Sequence, residues 1–330
     1  MPVKAEFSQP SIYLGLIFKV DYLPMPSPEL ASVIKHLEAI AAEASAVVDI
    51  EDSRHLLNRL GELHPSQREF EAEVLPTRVE DVPCEWLLAS GADPKRRLLY
   101  IHGGGWTSGS LDSHRPLSAR LSATTGCAVL SIAYRLAPEH PYPAGLDDCL
   151  ICYGWLRENG PGGASSARSM FVAGDSAGGN LTLSLLLAIK QRGLPLPNAA
   201  VMISPATDFL ATGNSHRTRA ARDPILRMGP DGMRRAADIY LQGNSKLEDP
   251  LVSPLYGDFA GLPPLLFQVG DAEVLLDDSI QAVEKARVAG IDVTLCVYPD
   301  MPHVWHIFAP YLPEATTAIE EIGTFVKRHG

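Results

Sequence analysis

Eight short strand-like runs, the last six of them apolar and mostly separated by stretches of helical periodicity, constrain this chain more than any other feature. The runs are Phe70–Leu75, Cys84–Ala89, Arg97–His102, Ala128–Ala133, Met170–Ala173, Ala199–Ile203, Leu265–Val269 and Val293–Tyr298. Helical patterns occupy Pro116–Thr124, Ala144–Arg157, Gly179–Arg192 and Asp277–Ala289, and a last one covers Pro313–Arg328. A strand buried on both faces reads as a short continuous apolar run. Strands that alternate with helices then predict an α/β fold, with a mostly parallel sheet covered on both faces. Gly91-Ala92-Asp93-Pro94 reads as a turn before the third strand.

Two regions stand outside this rhythm. Near the start, Ser27 is placed to cap a helix, and Pro28 takes its first position. Leu30, Val33, Ile34, Leu37 and Ile40 follow at helical spacing. A second apolar-polar stretch runs from Val48 to about Leu63, and Pro65 and Ser66 punctuate the chain after it. Later, some sixty residues separate the strand ending near Ser204 from the one starting at Leu265. A structureless loop of that length is uncommon in a compact domain. The amphipathic stretch Pro230–Leu241 predicts a small helical insertion there.

Bulk properties narrow the function classes. The formal net charge is -11, which argues against nucleic acid or an anionic membrane as the main partner. With 46% hydrophobic and 20% charged residues, the composition is that of a globular protein. Cys84, Cys127, Cys149, Cys152 and Cys296 are sparse and odd in number, so they predict reduced, buried thiols and no disulfide framework. Cys149 and Cys152 form a C-x-x-C on a helical pattern, with no second pair to complete a metal site. Ile12–Val20 is apolar but short and lacks a small-residue cleavage site after it. No stretch approaches the roughly 20 apolar residues that span a bilayer, so a cytoplasmic location is the expectation.

Two glycine motifs carry chemistry. Gly174-Asp175-Ser176-Ala177-Gly178 lies between a strand pattern and a helix pattern. That is the context of a nucleophile elbow, in which a sharp turn lifts the serine hydroxyl to the carboxyl end of the sheet. The helix that follows aims its partial positive end at the site, where an oxyanion would develop. The bland alternative is a flexible glycine loop. The second motif, His102-Gly103-Gly104-Gly105-Trp106, ends the third strand. Glycines let backbone N–H groups approach a carbonyl oxygen as it gains charge. The amides of Gly104, Gly105 and Ala177 are the expected oxyanion donors, and Gly103 shapes the turn and shares the role. A phosphate cradle is the rival, but no Lys-Ser or Lys-Thr follows to make a P-loop.

HGGGW at His102, YRLAPEHPYPA at Tyr134–Ala144 and GDSAGG at Gly174–Gly179, in that order, resemble the hormone-sensitive lipase family of α/β-hydrolases, the bacterial family IV esterases. The likeness covers roughly Leu98 to the C-terminus. It implies an α/β-hydrolase fold with an eight-stranded sheet, and a triad in the order serine, acid, histidine. It also implies a cap made from residues 1–68 and an insertion at about 207–246, set on a catalytic domain of residues 69–330. His303 fits the family's proline-histidine pattern and is the implied base, with His306 its local rival. Relatives commonly carry D-P-L-x-D after the strand that ends here at Val269. Matching Leu275 and Asp277 to its last positions places Glu273 at the acid, a departure from the commoner aspartate. Asp271 remains the alternative acid, and Asp277 reads as a helix-start residue. Arg135 and Glu139 are expected to form buried polar links. Asp175 is expected to bond neighbouring backbone, and Ser204-Pro205 and Ser253-Pro254 to form structural turns.

The expectation is therefore a serine esterase acting on short- to medium-chain carboxylic esters through an acyl-enzyme, with no metal or organic cofactor. Its partner is a small ester, without nucleic acid or stable membrane insertion. A homodimer through the edge strand Val293–Tyr298 is implied by analogy. An amidase, a carbamate hydrolase and a peptidase can share the same triad. A binding module that uses the fold as a small-molecule receptor is the rival from another class.

Overall fold

A computed structural model of the protein describes residues 26–46 and 49–330. Ile12–Val20 and Val48 lie outside the described residues. All eight strand-like runs fall on strands of one sheet: β1 (Ala72–Val79), β2 (Val82–Ala89), β3 (Asp93–Ile101), β4 (Cys127–Ile132), β5 (Ser169–Asp175), β6 (Ala199–Ile203), β7 (Leu265–Gly270) and β8 (Val293–Tyr298). Their order is β1-β2-β4-β3-β5-β6-β7-β8. β2 runs antiparallel to both its neighbours, and every other pairing is parallel. This is the mostly parallel eight-stranded sheet expected of an α/β-hydrolase.

Residues along the central strands alternate between two cores, as the period of two requires. Leu98, Tyr100, Cys127 and Val129 face one core, and Leu99, Ile101, Ala128 and Leu130 face the other. Helices α3 (Leu111–Thr125) and α9 (Pro313–Arg328) cover the first face. On the opposite face lie α4 (Ala144–Glu158), α5 (Ala177–Gln191) and α8 (Leu276–Val288).

Several boundaries differ from the sequence expectation for physical reasons. β1 runs through Pro76 to Val79, because an edge strand tolerates the missing N–H. β3 begins at Asp93, so only Gly91 and Ala92 of the expected turn stay outside it. α3 starts at Leu111, five residues before the expected Pro116. Inside a helix, Pro116 leaves the Asp112 carbonyl without its usual donor. Arg68 Nη1 donates to that carbonyl instead, at 3.1 Å.

The N-terminal helices are α1 (Glu29–Ala46) and α2 (Ile50–Asn58). α1 buries Leu30, Val33 and Leu37 against the α9 side of the core. Ser27 does not cap it with its hydroxyl. The Ser27 N–H and Oγ donate to Glu314 Oε1 and Oε2 on α9, at 2.6 and 2.8 Å. α2 is shorter than the apolar-polar stretch suggested. Asp49 caps it by accepting from the Glu51 and Asp52 amides, and it ends at Asn58. The long connection after β6 carries α6 (Ser215–Thr218) and α7 (Pro230–Leu241), the latter matching the amphipathic stretch. The five cysteines are free, four of them buried, but Cys296 on edge strand β8 is only partly so.

Candidate active site

Ser176 is the single residue between the end of β5 and the start of α5. Its φ of 53° and ψ of -117° are strained for a non-glycine residue, at a cost of about 1–3 kcal/mol. The flanking glycines make the turn possible. A Cβ on Gly174 would run into the Gly178 carbonyl, and one on Gly178 into the carbonyls of Ile101 and His102. The pentapeptide is therefore a packed elbow and not a flexible loop.

The loop after β8 brings His303 to the elbow. Its Nε2 lies 2.8 Å from Ser176 Oγ, and its Nδ1 lies 2.6 Å from Glu273 Oε2. Glu273 is fully buried in the turn between β7 and α8. Its second oxygen, Oε1, accepts from the Gly270 N–H and from Ser204 Oγ, both at 2.7 Å. Ser204 Oγ also accepts from the Val304 N–H at 3.3 Å. One hydroxyl thus ties the acid to the residue after His303. Burial alone would lower the His303 pKa. The charge and hydrogen bond of Glu273, helped by Asp223 and Asp175, outweigh that and raise it.

The two rival residues point elsewhere. Asp271 accepts from the Asp300 N–H at 2.8 Å and pairs with Arg222 at 3.2 Å. His306 Nε2 meets Gln268 Oε1 at 2.8 Å, and burial pushes its pKa down to about 3. Asp277 is the second residue of α8, and its Oδ2 accepts from the Ser215 N–H at 2.9 Å.

The glycine loop corrects one expectation. The Gly103 N–H donates to Asp175 Oδ1 at 3.0 Å, so it is not free for an oxyanion. The same oxygen accepts from Tyr100 Oη at 2.6 Å, so the backbone that Asp175 bonds is that of the glycine loop beside it in space, 72 positions away in the chain. Gly104, Gly105 and Ser176 line one cleft of about 210 Å³. Leu37, Leu57 and Leu60 wall it from the N-terminal region, and Ile225 and Leu226 from the connection after β6. Of the two expected buried links, Arg135 forks onto buried Asp148, with Nη2 donating to Oδ1 at 2.7 Å and Nε to Oδ2 at 3.0 Å. Glu139 forks onto Arg54 of α2, which is 16% exposed, and both Arg135 and Glu139 are themselves 47% exposed, so neither link is buried at both ends as expected.

Sequence reasoning missed three residues. Ser204 was legible only as a turn. Buried Asp223 accepts from the Ile225, Leu226 and Val274 amides at 2.9–3.0 Å, which ties the connection after β6 to the acid turn. Arg54 carries no motif at all. Among the described residues, no group of three or more His, Cys, Asp or Glu is arranged to hold a metal ion. No described helix is long and apolar enough to cross a membrane.

A mostly parallel sheet with a serine on a strained strand-to-helix turn, a histidine after the last strand and a glycine loop beside them defines an α/β-hydrolase. Residues 98–307 match the family model described as alpha/beta hydrolase fold. An acetyl-hydrolase of Streptomyces hygroscopicus is 45% identical over 246 residues, 74% of this chain and 79% of that protein. An esterase of Acinetobacter venetianus is 35% identical over 272 residues, 82% of this chain and 87% of its own length. The crystal structure of an esterase from the bacterial hormone-sensitive lipase family superposes with a TM-score of 0.84 at 40% identity, covering 92% of this chain and 99% of that one. The chain belongs to the hormone-sensitive lipase family of α/β-hydrolases, and it is a carboxylesterase, a serine hydrolase that cleaves esters.

Proposed function

We propose that Ser176, His303 and Glu273 hydrolyse short- to medium-chain carboxylic esters through an acyl-enzyme. One observation carries this reading: the unbroken hydrogen-bonded line from Ser176 Oγ through the imidazole to Glu273, at 2.8 and 2.6 Å. Ser176 Oγ attacks the ester carbonyl while His303 Nε2 takes its proton. Glu273 holds the imidazole in the tautomer with its proton on Nδ1 and stabilises the cation that forms. The Gly104, Gly105 and Ala177 amides hold the oxyanion, with the N-terminus of α5 behind them. His303 then protonates the leaving alcohol. Water, deprotonated by the same nitrogen, releases the acid.

The described part of residues 1–68 and the insertion at about 207–246 act as a cap. The support is that Leu37, Leu57, Ile225 and Leu226 wall the same cleft as Ser176. An apolar cavity of about 150 Å³ binds benzene. A cleft of about 210 Å³ therefore suits a short chain, with room for a modest extension. The test is turnover of p-nitrophenyl esters of graded length. Ser176→Ala loses activity on the order of a millionfold, and only wild type forms a covalent acyl adduct in the mass spectrum. Turnover near wild type in Ser176→Ala refutes the reading.

A further inference from the structure

Arg54 lies on α2, one turn before Leu57 and Asn58, which line the cleft. Its side chain is 16% exposed, and all five of its N–H groups are used. Nε donates to the Thr107 carbonyl at 2.7 Å. Nη1 donates to Glu139 Oε1 at 3.0 Å and to Glu51. Nη2 donates to Glu139 Oε2 at 2.7 Å and to the Ala137 carbonyl at 3.1 Å. The pair with Glu139 is a two-pronged fork, the geometry only a guanidinium offers.

The Thr107 carbonyl belongs to the glycine turn. The amides of Thr107 and Ser108 both donate to the Gly104 carbonyl, at 3.2 and 2.9 Å, and Ser108 Oγ does so at 2.6 Å. These bonds make residues 104–108 one unit, so whatever fixes Thr107 also fixes the amides of Gly104 and Gly105. The next carbonyl back, that of Trp106, accepts from the Ala137 N–H at 3.0 Å. The segment after Ala137 is tied in turn to the end of α7. Gln242 Nε2 donates to the Pro138 carbonyl at 2.6 Å, and the Tyr142 N–H to the Tyr240 carbonyl at 2.8 Å. Arg54 thus joins the N-terminal helices, the glycine turn and the segment that holds the insertion.

We propose that Arg54 is a positioning residue for ester hydrolysis, which aligns the oxyanion amides only when α2 is seated over the cleft. The proposal rests on the reading of Gly104 and Gly105 as oxyanion donors. A nine-residue helix such as α2 is too short to hold its place by its own stability. Its seat depends on tertiary ties, and this one ends on the loop whose amides must sit within a few tenths of an ångström of their target. A chain without α2 in place would leave the glycine turn free to shift. Cleft formation and oxyanion alignment therefore become one event.

The experiment uses the full chain and the variants Arg54→Ala, Arg54→Lys and Glu139→Gln. Active-site titration with a fluorophosphonate counts the competent molecules, and kcat per titrated site and KM are measured with p-nitrophenyl butyrate. Arg54→Ala should lower kcat per titrated site roughly ten- to a hundredfold, the scale of a small misplacement at a reacting centre. KM should change less than kcat. Arg54→Lys should fall in the same direction, because one ammonium cannot make the fork and reach both carbonyls. Glu139→Gln should lose less, since the bonds to Thr107 and Ala137 survive. Wild-type kcat per titrated site in both Arg54 variants, or a change confined to KM or to the titratable fraction, overturns the proposal. If Arg54→Ala does not fold, Arg54→Lys decides by the same criterion. Activity in Ser176→Ala would refute the reading beneath it, whereas an inactive Ser176→Ala beside wild-type Arg54 variants refutes only the role of Arg54.

Discussion

Replacing Glu273 by glutamine removes one charge and no atoms beyond the exchange of oxygen for nitrogen. Its consequence is set by what each carboxylate oxygen touches. Oε1 accepts two hydrogen bonds, from the Gly270 N–H and Ser204 Oγ. The backbone donor cannot rotate away, so the amide oxygen of a glutamine must occupy that position. Its NH₂ group is then forced to the Oε2 position, 2.6 Å from His303 Nδ1. There it donates, and the imidazole must present a lone pair on Nδ1 and carry its proton on Nε2. An Nε2–H cannot accept the Ser176 proton. The wrong tautomer in another Ser-His-acid enzyme lowers kcat about ten thousandfold, and the same loss is expected here. That is roughly 5 kcal/mol of transition-state stabilisation. The fold should survive, because the exchange keeps the volume and removes a buried charge. Asp271→Asn is the control. Asp271 faces Arg222 and the Asp300 amide at a surface worth about 0–1 kcal/mol, and kcat should stay close to wild type. The assay is kcat for p-nitrophenyl butyrate at pH 8, with circular dichroism melting for each variant. A well-folded Glu273→Gln with near-wild-type kcat, or a crippled Asp271→Asn, refutes the argument.

The remaining expectations concern pH and the elbow. His303 must be neutral to act as a base, and its pKa is raised. The acid limb of kcat/KM should therefore fall above the ordinary imidazole value of about 6.5, and a limb below it would contradict the Glu273 contact. The same shift means that the folded state holds the His303 proton more tightly than the unfolded chain does. Its contribution to stability is fully present below about pH 6.5 and is lost as pH rises through the higher folded value, which a melting series in an inactive variant can follow. Gly178→Ala places a methyl against the Ile101 and His102 carbonyls. It should cost about 1–3 kcal/mol in denaturant unfolding together with most of the activity, and a variant as stable as wild type would show that the elbow has room.

The central sheet was legible because burial on both faces writes an apolar run into the sequence, whereas the edge strand β1 is only partly buried and read as a strand from its alternation. Errors arose where a distant partner decides a local outcome. Pro116 marked a helix start until Arg68 supplied the donor that its helix lacks. Ser27 looked like a cap, but Glu314, far along the chain, takes its hydroxyl. The site divides in the same way. Ser176 and the glycines were visible because a strained turn excludes most residue types, and that exclusion is local. His303 and Glu273 were visible through the family resemblance, which expects a base and an acid after particular strands; the fold brings His303 to Ser176 and Glu273 to His303. Ser204, Asp223 and Arg54 act through bonds that cross 50 or more positions, and nothing in their immediate sequence marks such pairs.

Asp175 shows why the arrangement needs ties from several sides. It sits beside the nucleophile, buried, and its negative charge opposes the oxyanion that Ser176 is proposed to create. Burial would raise its pKa, but the charge of His114 and the Tyr100 bond hold it at about 2, so it stays ionised throughout the working range. The charge has two offsetting uses. It favours the imidazolium of His303, adding to Glu273 and Asp223. It also takes the Gly103 N–H, which anchors the root of the glycine loop to the elbow. The loop then hangs from a fixed root, and its far end needs a second anchor if the Gly104 and Gly105 amides are to outweigh the repulsion. On the proposed reading Arg54 supplies that anchor.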